Sequence, residues 1–387
     1  MKRVLCGILV SFCLFLPLLP GARAAAWTSA ADVVSTALSQ LDVEEGPRGE
    51  SPYGQWYGIP RGHWCDMFVS WCAGQAGVPE EVFPWSAGCT AHAAMFEEMG
   101  RYQPSAARGG GYVPRQGDAI FFYDPEKYPE GKVVRHVGIV LWVERDRVFT
   151  VEGNTLMPRR DRAPEGQALP PCDASLLPRD YVAVKDYPLT DPEIHGYAVP
   201  AYDSRDLLPH EGWVDLGRYE PLREIFEALD QADILPGTSA YTYSPRAGMT
   251  RGEFLTLLMD LYGLSGWKED TEPFPDVPED SPCYGAVMTA RSAGIVSGTA
   301  SGDFCPNTYV SGSAAQAVIS RTLAYAGQED RQFSFTQGDL SSRGTPYTIR
   351  ADIAAAVYEL HAAMAVPAEA KKAVTLNGRR ISGPVLW

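Results

Sequence analysis

The sequence lacks an excess of positive charge. Its 33 lysines and arginines stand against 48 aspartates and glutamates, a formal charge of −15, which repels phosphate backbones and argues against nucleic-acid binding. It lacks a glycine-rich motif that would cradle a phosphate. It has no uninterrupted apolar run long enough to cross a bilayer, the longest being a stretch near its start. Apolar residues as a whole are not scarce: 45% are hydrophobic and 21% charged, so the chain folds rather than remaining disordered. At 387 residues it is too long for one ordinary core, and two or three domains are expected.

Lys2 and Arg3 precede an apolar run from Val4 to Leu19, and Pro20-Gly21-Ala22-Arg23-Ala24 supplies the small residues a signal peptidase reads. Residues 1–24 therefore read as a secretory signal. Pro17 and Pro20 interrupt the run, which is shorter than the roughly 20 residues a span needs. Its removal leaves a net charge of about −18 and a product with no membrane segment, secreted and outside the membrane. Cys6 and Cys13 leave with it, and Cys65, Cys72, Cys89, Cys172, Cys283 and Cys305 remain, an even number in an oxidising setting. If one is a catalytic thiol, one other must stay free. Cys283 and Cys305, close in sequence and isolated from the rest, are the disulfide candidate.

Residues 27–186 show the mixed pattern of an α+β domain, helices first and antiparallel strands later, which argues against a doubly wound nucleotide fold. Helices are expected over 32–41, 65–76 and 91–99, and strands at Ala119–Tyr123, Val134–Val143 and Val148–Glu152. Residues 187–211, where Pro188, Pro192, Pro200 and Pro209 are scattered, read as a linker. After it the chain repeats itself. Asp215 with Asp276, Ala232 with Ala293, Ile234 with Ile295, Gly237 with Gly298 and Pro245 with Pro306 all stand 61 residues apart. Similar pairs at that spacing are Trp213 with Phe274, Tyr243 with Phe304 and Met249 with Val310. Two units of paired helices follow, 212–265 and 272–327, then a partial third at 345–366 that keeps only the second helix.

The string Trp64-Cys65-Asp66-Met67-Phe68-Val69-Ser70-Trp71-Cys72 puts Cys65 in the first turn of an apolar helix. That position stabilises a thiolate through the helix dipole and offers unpaired amides to a developing oxyanion. The bland alternative is a packed or bridged cysteine. A base is needed, and His136 at the lip of the apolar strand Val137-Gly138-Ile139-Val140-Leu141-Trp142 supplies one; a structural imidazole is the alternative. His63, two residues before Cys65, is a weaker competitor and otherwise a rim residue. If Val143 faces Val148, position 155 lies opposite His136, so Glu152 and Asn154 are both close to it. The reading leans to Asn154 holding the ring with Glu152 nearby, and a one-residue slip would reverse the order. Cys65, Cys72, Cys89 and His92 can be drawn as a metal site, but structural zinc usually shows two close ligand pairs, and neither metal nor cofactor is expected.

The string YGQWYGIPRGHWCDMFVSWCAGQAGV (53–78), GDAIFF (117–122), HVGIV (136–140) and VEGN (151–154) together resemble the CHAP domain, the cysteine, histidine-dependent amidohydrolase/peptidase family. The resemblance implies a papain-like fold related to the NlpC/P60 group, with Cys65 as nucleophile, His136 as base and Glu152 or Asn154 as third member. It also implies peptidoglycan as substrate, cut as an N-acetylmuramoyl-L-alanine amidase or an endopeptidase would cut it. Trp64, Tyr57 and His63 are assigned to substrate binding. Some family members bind calcium through an aspartate-rich stretch before the cysteine; residues 53–63 hold no aspartate, so calcium is not carried over. The repeats are similar to S-layer homology domains, which dock on secondary cell-wall polymers, through Met249-Thr250-Arg251-Gly252-Glu253 and Phe274-Pro275-Asp276-Val277. Arg251 and Arg350 are then the polymer-binding candidates. The second unit departs from the pattern, with Val310-Ser311-Gly312-Ser313 where the arginine belongs. The reading is a papain-like hydrolase domain followed by a small all-α repeat region, anchored at the cell surface. A non-catalytic surface-binding protein, and a secreted protease acting on proteins, are the alternatives.

Overall fold

The computed structural model describes residues 28–155, 179–209, 212–328, 348–364, 373–376 and 379–382. The expected signal at 1–24, and Cys172, lie outside these residues.

Four helices open the chain: α1 (Ala30–Leu38), α2 (Pro52–Tyr57), α3 (Cys65–Gln75) and α4 (Cys89–Glu98). α1 and α2 start at serines whose side chains accept amide hydrogen bonds from Ala31 and Gly54, the usual way to satisfy orphan donors. α3 has no such cap, and eight of its residues are buried: Cys65, Asp66, Met67, Phe68, Val69, Ser70, Cys72 and Ala73. It is a core helix rather than an amphipathic one.

Strands β1 (Tyr102–Pro104), β2 (Ala119–Tyr123), β3 (Val134–Glu144), β4 (Arg147–Thr155), β5 (Tyr181–Pro188) and β6 (Ile194–Ala198) form one sheet in the order β1-β6-β2-β3-β4-β5. Every pairing is antiparallel. The strand period of two divides the side chains between faces. Phe121, Val137, Ile139, Leu141, Phe149, Val151, Val182 and Val184 pack with Phe68, Val69 and Phe96 of the helices, while Ile120, Phe122, Val140, Val148, Ile194 and Tyr197 form a smaller cluster on the other face.

The expected linker at 187–211 is corrected here. β6 lies inside the sheet between β1 and β2 with all five residues buried, and β5 runs to Pro188. The prolines flank these strands instead of breaking them. Gly196 hides the pattern further. A Cβ there would lie 2.5 Å from the Gln103 carbonyl oxygen, so the neighbouring strand admits only glycine.

The repeats explain their own offset. Asp215 accepts backbone hydrogen bonds from Tyr243 and Ser244 at 2.8 and 2.7 Å, and Asp276 accepts them from Phe304 and Cys305 at 2.8 and 2.6 Å. Ser244 and Cys305 share a left-handed backbone, with φ of 56° and 60°. A Cβ at Gly237 would strike Trp213, and one at Gly298 would strike Phe274. Helices α5 (Arg223–Gln231) and α6 (Arg251–Leu261) belong to the first unit, α7 (Tyr284–Ser292) and α8 (Gly312–Tyr325) to the second, and α9 (Arg350–Met364) to the third. Strands β7 (Ala373–Leu376) and β8 (Arg379–Ser382) pair as a hairpin beyond the third unit.

Three equivalent segments close a ring. Met249 N–H donates to Thr348, Thr348 N–H to Val310, and Val310 N–H to Met249, at 3.4, 2.8 and 2.9 Å. The truncated third unit thus contributes what closure requires, one strand-like segment and one helix. The repeat core also takes in Tyr181 and Ala183 of β5, and Arg246 lies 4.0 Å from the Tyr181 ring centroid and pairs with Asp42 and Glu44.

One expectation fails in this region, the disulfide. Cys283 and Cys305 are free thiols: Cys305 occupies the turn that Ser244 takes in the first unit, while Cys283 Sγ lies 3.2 Å from the Ser281 hydroxyl. Arg251 and Arg350, both half-buried, are engaged within the repeats. Arg251 donates to the Phe304 carbonyl at 2.9 Å and lies over that ring, and Arg350 does the same to Tyr243 at 3.0 Å. Each arginine clasps the aromatic of another unit, a cation–π contact with a hydrogen bond. Gly312 takes that place in the second unit.

Because Asp276 holds two backbone amides, Asp276→Ala should destabilise the repeats by about 2–4 kcal/mol. A lowered urea midpoint for the repeat transition, with unchanged alkylation of Cys65, is the expected result; an unchanged midpoint would contradict this account.

Candidate active site

Cys65 is the first residue of α3 and is 3% exposed. The helix starts without a side-chain cap, and its first described intrahelical bond runs from Phe68 N–H to the Trp64 carbonyl at 2.9 Å. The first-turn amides and the positive end of the helix dipole therefore face the thiol. α3 reaches the sheet closely because β4 carries Gly153: a Cβ there would lie 2.6 Å from the Trp64 ring.

His136 and Glu152 meet across β3 and β4, with His136 Nε2 2.9 Å from Glu152 Oε2. The register explains the choice. Val143 pairs with Val148 as the sequence predicts, but a bulge between Val140 and Trp142 shifts the ladder, so that Val140 pairs with Thr150 and Ile139 with Val151. Continuing that register sets Gly138 opposite Glu152, and a Cβ at Gly138 would fall 2.6 Å from Glu152 Cγ. The missing side chain is the room into which the carboxylate leans toward His136.

Asn154 does not hold the ring, contrary to the sequence reading. Its backbone is left-handed at φ 55°, a region asparagine tolerates. Its Oδ1 accepts from the Trp64 amide at 2.8 Å, and its Nδ2 donates to Asp180 at 3.1 Å. Asn154 thus fixes the approach to Cys65 rather than the imidazole.

With Nε2 engaged by Glu152, Nδ1 is the ring nitrogen left for the Cys65 thiol, which lies near enough for each group to act on the other's charge. A second thiol meets the same sulfur: Cys89 Sγ lies 3.6 Å from Cys65 Sγ. Hydrogen bonding from Cys89, then from His136 together with its charge, brings the Cys65 pKa well below the usual thiol value despite burial. Cys89 moves the opposite way, because its proton serves Cys65 and because it is buried beside charge. Burial pulls His136 down, but its bonds to Cys65 and Glu152 outweigh this and carry it up to about 9. Glu152 is fully buried; burial is overcome by the Lys185 charge, His136 and the Thr150 hydroxyl, holding it at about 2. Thr150 donates to Glu152 at 2.7 Å and Lys185 lies 3.6 Å away. The Cys65 and His136 shifts both run toward a thiolate–imidazolium pair.

Sequence reasoning did not assign Lys185, Thr150 or the contact made by Cys89. Thr150, two residues before Glu152 on one strand, was visible in the strand period; Lys185 lies on β5, a strand the sequence reading did not place. The substrate-binding candidates separate. Trp64 is 1% exposed and stacks on Tyr53 with ring centroids 5.2 Å apart, so it is a core residue. Tyr57 is half-buried, and His63 is exposed at the rim, near enough to Asp180 to affect its charge. Cys72 is fully buried. Among the described residues no group of three or more histidine, cysteine, aspartate or glutamate side chains is arranged to hold a metal ion.

Residues 55–154 match the family model of the CHAP domain, and residues 273–315 match that of the S-layer homology domain. The chain carries a CHAP domain followed by an S-layer homology domain. The CHAP match contains Cys65, His136 and Glu152, supports a papain-like arrangement within this α+β fold, and points to peptidoglycan hydrolysis. The S-layer homology match points to attachment at the cell surface, and no described helix is long and apolar enough to cross a membrane. An endoglucanase of Bacillus sp. (strain KSM-635) is 33% identical over 101 residues, covering 26% of this chain and 10% of that protein. The chain thus matches about a tenth of that relative's length.

The ion pair around the CHAP cysteine predicts a pH profile. Iodoacetamide should alkylate Cys65 rapidly well below the ordinary thiol range, because the thiolate already exists there. The imidazolium is lost as pH rises through about 9. The rate of amide hydrolysis, which needs that proton, should fall over the same range; Glu152→Gln removes a negative charge from the ring, lowers the His136 pKa and moves this fall to lower pH, and an unmoved fall would show that Glu152 does not act on the ring. Gly138→Ala should cut kcat about 10–100-fold with little change in KM by displacing the carboxylate.

Proposed function

We propose that the chain is a cell-wall-associated cysteine hydrolase that cleaves amide bonds of peptidoglycan, as an N-acetylmuramoyl-L-alanine amidase or a peptidoglycan endopeptidase. The observation that carries this reading is the convergence of Cys65, at an uncapped helix start, with His136 and a buried Glu152 2.9 Å from it.

The Cys65 thiolate attacks the amide carbonyl, and the developing oxyanion turns toward the first-turn amides of α3. His136, protonated in the resting pair, gives its proton to the leaving amine as the carbon–nitrogen bond breaks, leaving an acyl thioester on Cys65. The neutral imidazole then takes a proton from water, whose oxygen attacks the thioester, and the thiolate–imidazolium pair returns. Glu152 holds the ring and compensates its positive charge; Lys185 and Thr150 hold Glu152. Asn154 sets the α3 start against β4. His63 at the rim is the assigned substrate contact that remains exposed.

Anchoring falls to the repeats at 212–265, 272–327 and 345–366, whose described helices pack together, for a secondary cell-wall polymer. Since Arg251 and Arg350 are engaged within the repeats, the polymer would meet other groups. A cleft of about 450 Å³ in the first unit is lined by Trp213, Arg223, Glu227, Asp230, Gly237 and Ser239; Arg223 there pairs with Glu220 and Glu227, so the cleft offers a neutral sugar an aromatic face and polar groups rather than an acidic glycan a free cation.

Digestion of purified peptidoglycan tests the reading, with soluble products identified by mass. Release of free stem peptides assigns an amidase, and cut stems or cross-bridges assign an endopeptidase. Cys65→Ala and His136→Ala should each lower the rate by more than about 1,000-fold. No release from several wall types by folded, reduced protein would overturn the proposal in favour of a surface-binding role.

A further inference from the structure

Two thiols converge beside His136. Cys65 begins α3 and Cys89 begins α4, their sulfurs are 3.6 Å apart, and the residues are 3% and 8% exposed. Buried bonds on both sides set this gap. The next residue, Asp66, meets His92 Nδ1 at 2.5 Å, with side-chain exposures of 1% and 0%, and so ties the start of α3 to α4. On the other side Thr90 Oγ1 donates to the Val134 carbonyl and accepts from the Val134 amide, both at 3.0 Å, tying α4 to β3 two residues before His136. The thiols are therefore held together by the core rather than by a loop. A disulfide places its sulfurs about 2.05 Å apart, so closure requires a shift of about 1.5 Å at two side chains that already touch.

We propose that Cys65 and Cys89 form a reversible intramolecular disulfide when the protein meets a peroxide, switching off the nucleophile and shielding it from irreversible oxidation. The inference rests on Cys65 being the nucleophile. The Cys65 thiolate attacks one peroxide oxygen, the O–O bond breaks, and hydroxide leaves as Cys65 becomes a sulfenic acid. Cys89 gives its proton to that hydroxide, and its sulfur attacks Cys65 Sγ. The S–S bond forms as the S–O bond breaks, and the departing oxygen leaves as water with the proton that His136 held. Two thiols are oxidised and one hydrogen peroxide is reduced to two waters. A dithiol reductant reverses the bridge by exchange. Small size suits the oxidant, since little of either residue is exposed.

The test treats the full, reduced chain with a small excess of hydrogen peroxide, quenches in acid, alkylates free thiols and maps peptides by mass. The expected product is a Cys65 peptide linked to a Cys89 peptide, lighter by two hydrogens and separated again by dithiothreitol. Reactivity of Cys65 toward iodoacetamide should fall more than about 10-fold and return with dithiothreitol. In Cys89→Ser the link should be absent and Cys65 should pass to sulfinic acid, with no return of reactivity. Wild-type Cys65 found as sulfinic acid beside a free Cys89, linked to Cys72 instead, or left unmodified would each overturn the proposal. The linkage is read without substrate, so failure to digest peptidoglycan would count against the hydrolase reading alone.

Discussion

A carboxylate with no solvent exposure governs the catalytic half of the molecule. Burying the Glu152 charge is costly unless positive charge and donors meet it, and here β3 supplies His136, β5 supplies Lys185 and β4 itself supplies Thr150. Three adjacent strands must therefore keep their register for one carboxylate to be satisfied. The bulge in β3 and the bare position at Gly138 let the side chain reach the imidazole. Once the ring is fixed at Nε2, its other nitrogen faces the end of α3, and the proton normally on Cys65 has a better place to reside. The chemistry of the thiol is thus decided two strands away from it.

The repeats obey a different constraint, closure. A helix pair of this size leaves its apolar face uncovered unless neighbours complete it, and the Met249, Val310 and Thr348 segments bond to one another in a ring. Each arginine of the Thr-Arg motif serves the same end, clasping an aromatic of another unit. Gly312 stands at the equivalent place in the second unit. The two halves also meet, through Arg246 on Tyr181 and the Asp42–Glu44 turn, and β5 carries both Tyr181 for that contact and Lys185 for Glu152.

Local patterns were legible where one element carried the whole signal. The start of α3 at Cys65, the apolar strand after His136, the pairing of Val143 with Val148 and the offset of 61 between repeats all come from short-range chemistry: an apolar helix, strand periodicity, a hairpin and self-similarity. What failed depended on distant partners. β6 has five residues, a glycine and flanking prolines, and only its neighbours β1 and β2 make it a strand. Trp64, in a motif beside the cysteine, looked like a ligand for sugar but is covered by Tyr53. A sequence likewise shows the charges of Arg251 and Arg350 without showing the carbonyl and ring that each one meets.

By itself, then, the sequence determined the kinds of element, the presence of a thiol at a helix start with a histidine on a strand, and the repetition that follows. Tertiary structure decided which acid holds the histidine, that Cys89 shares its proton with Cys65, and that the two cysteines of the second repeat stay apart. The reason is physical. Periodicity is a property of neighbouring residues, whereas a one-residue bulge, the space left by a missing Cβ and the charge balance of a buried group depend on segments that meet only when the chain is folded.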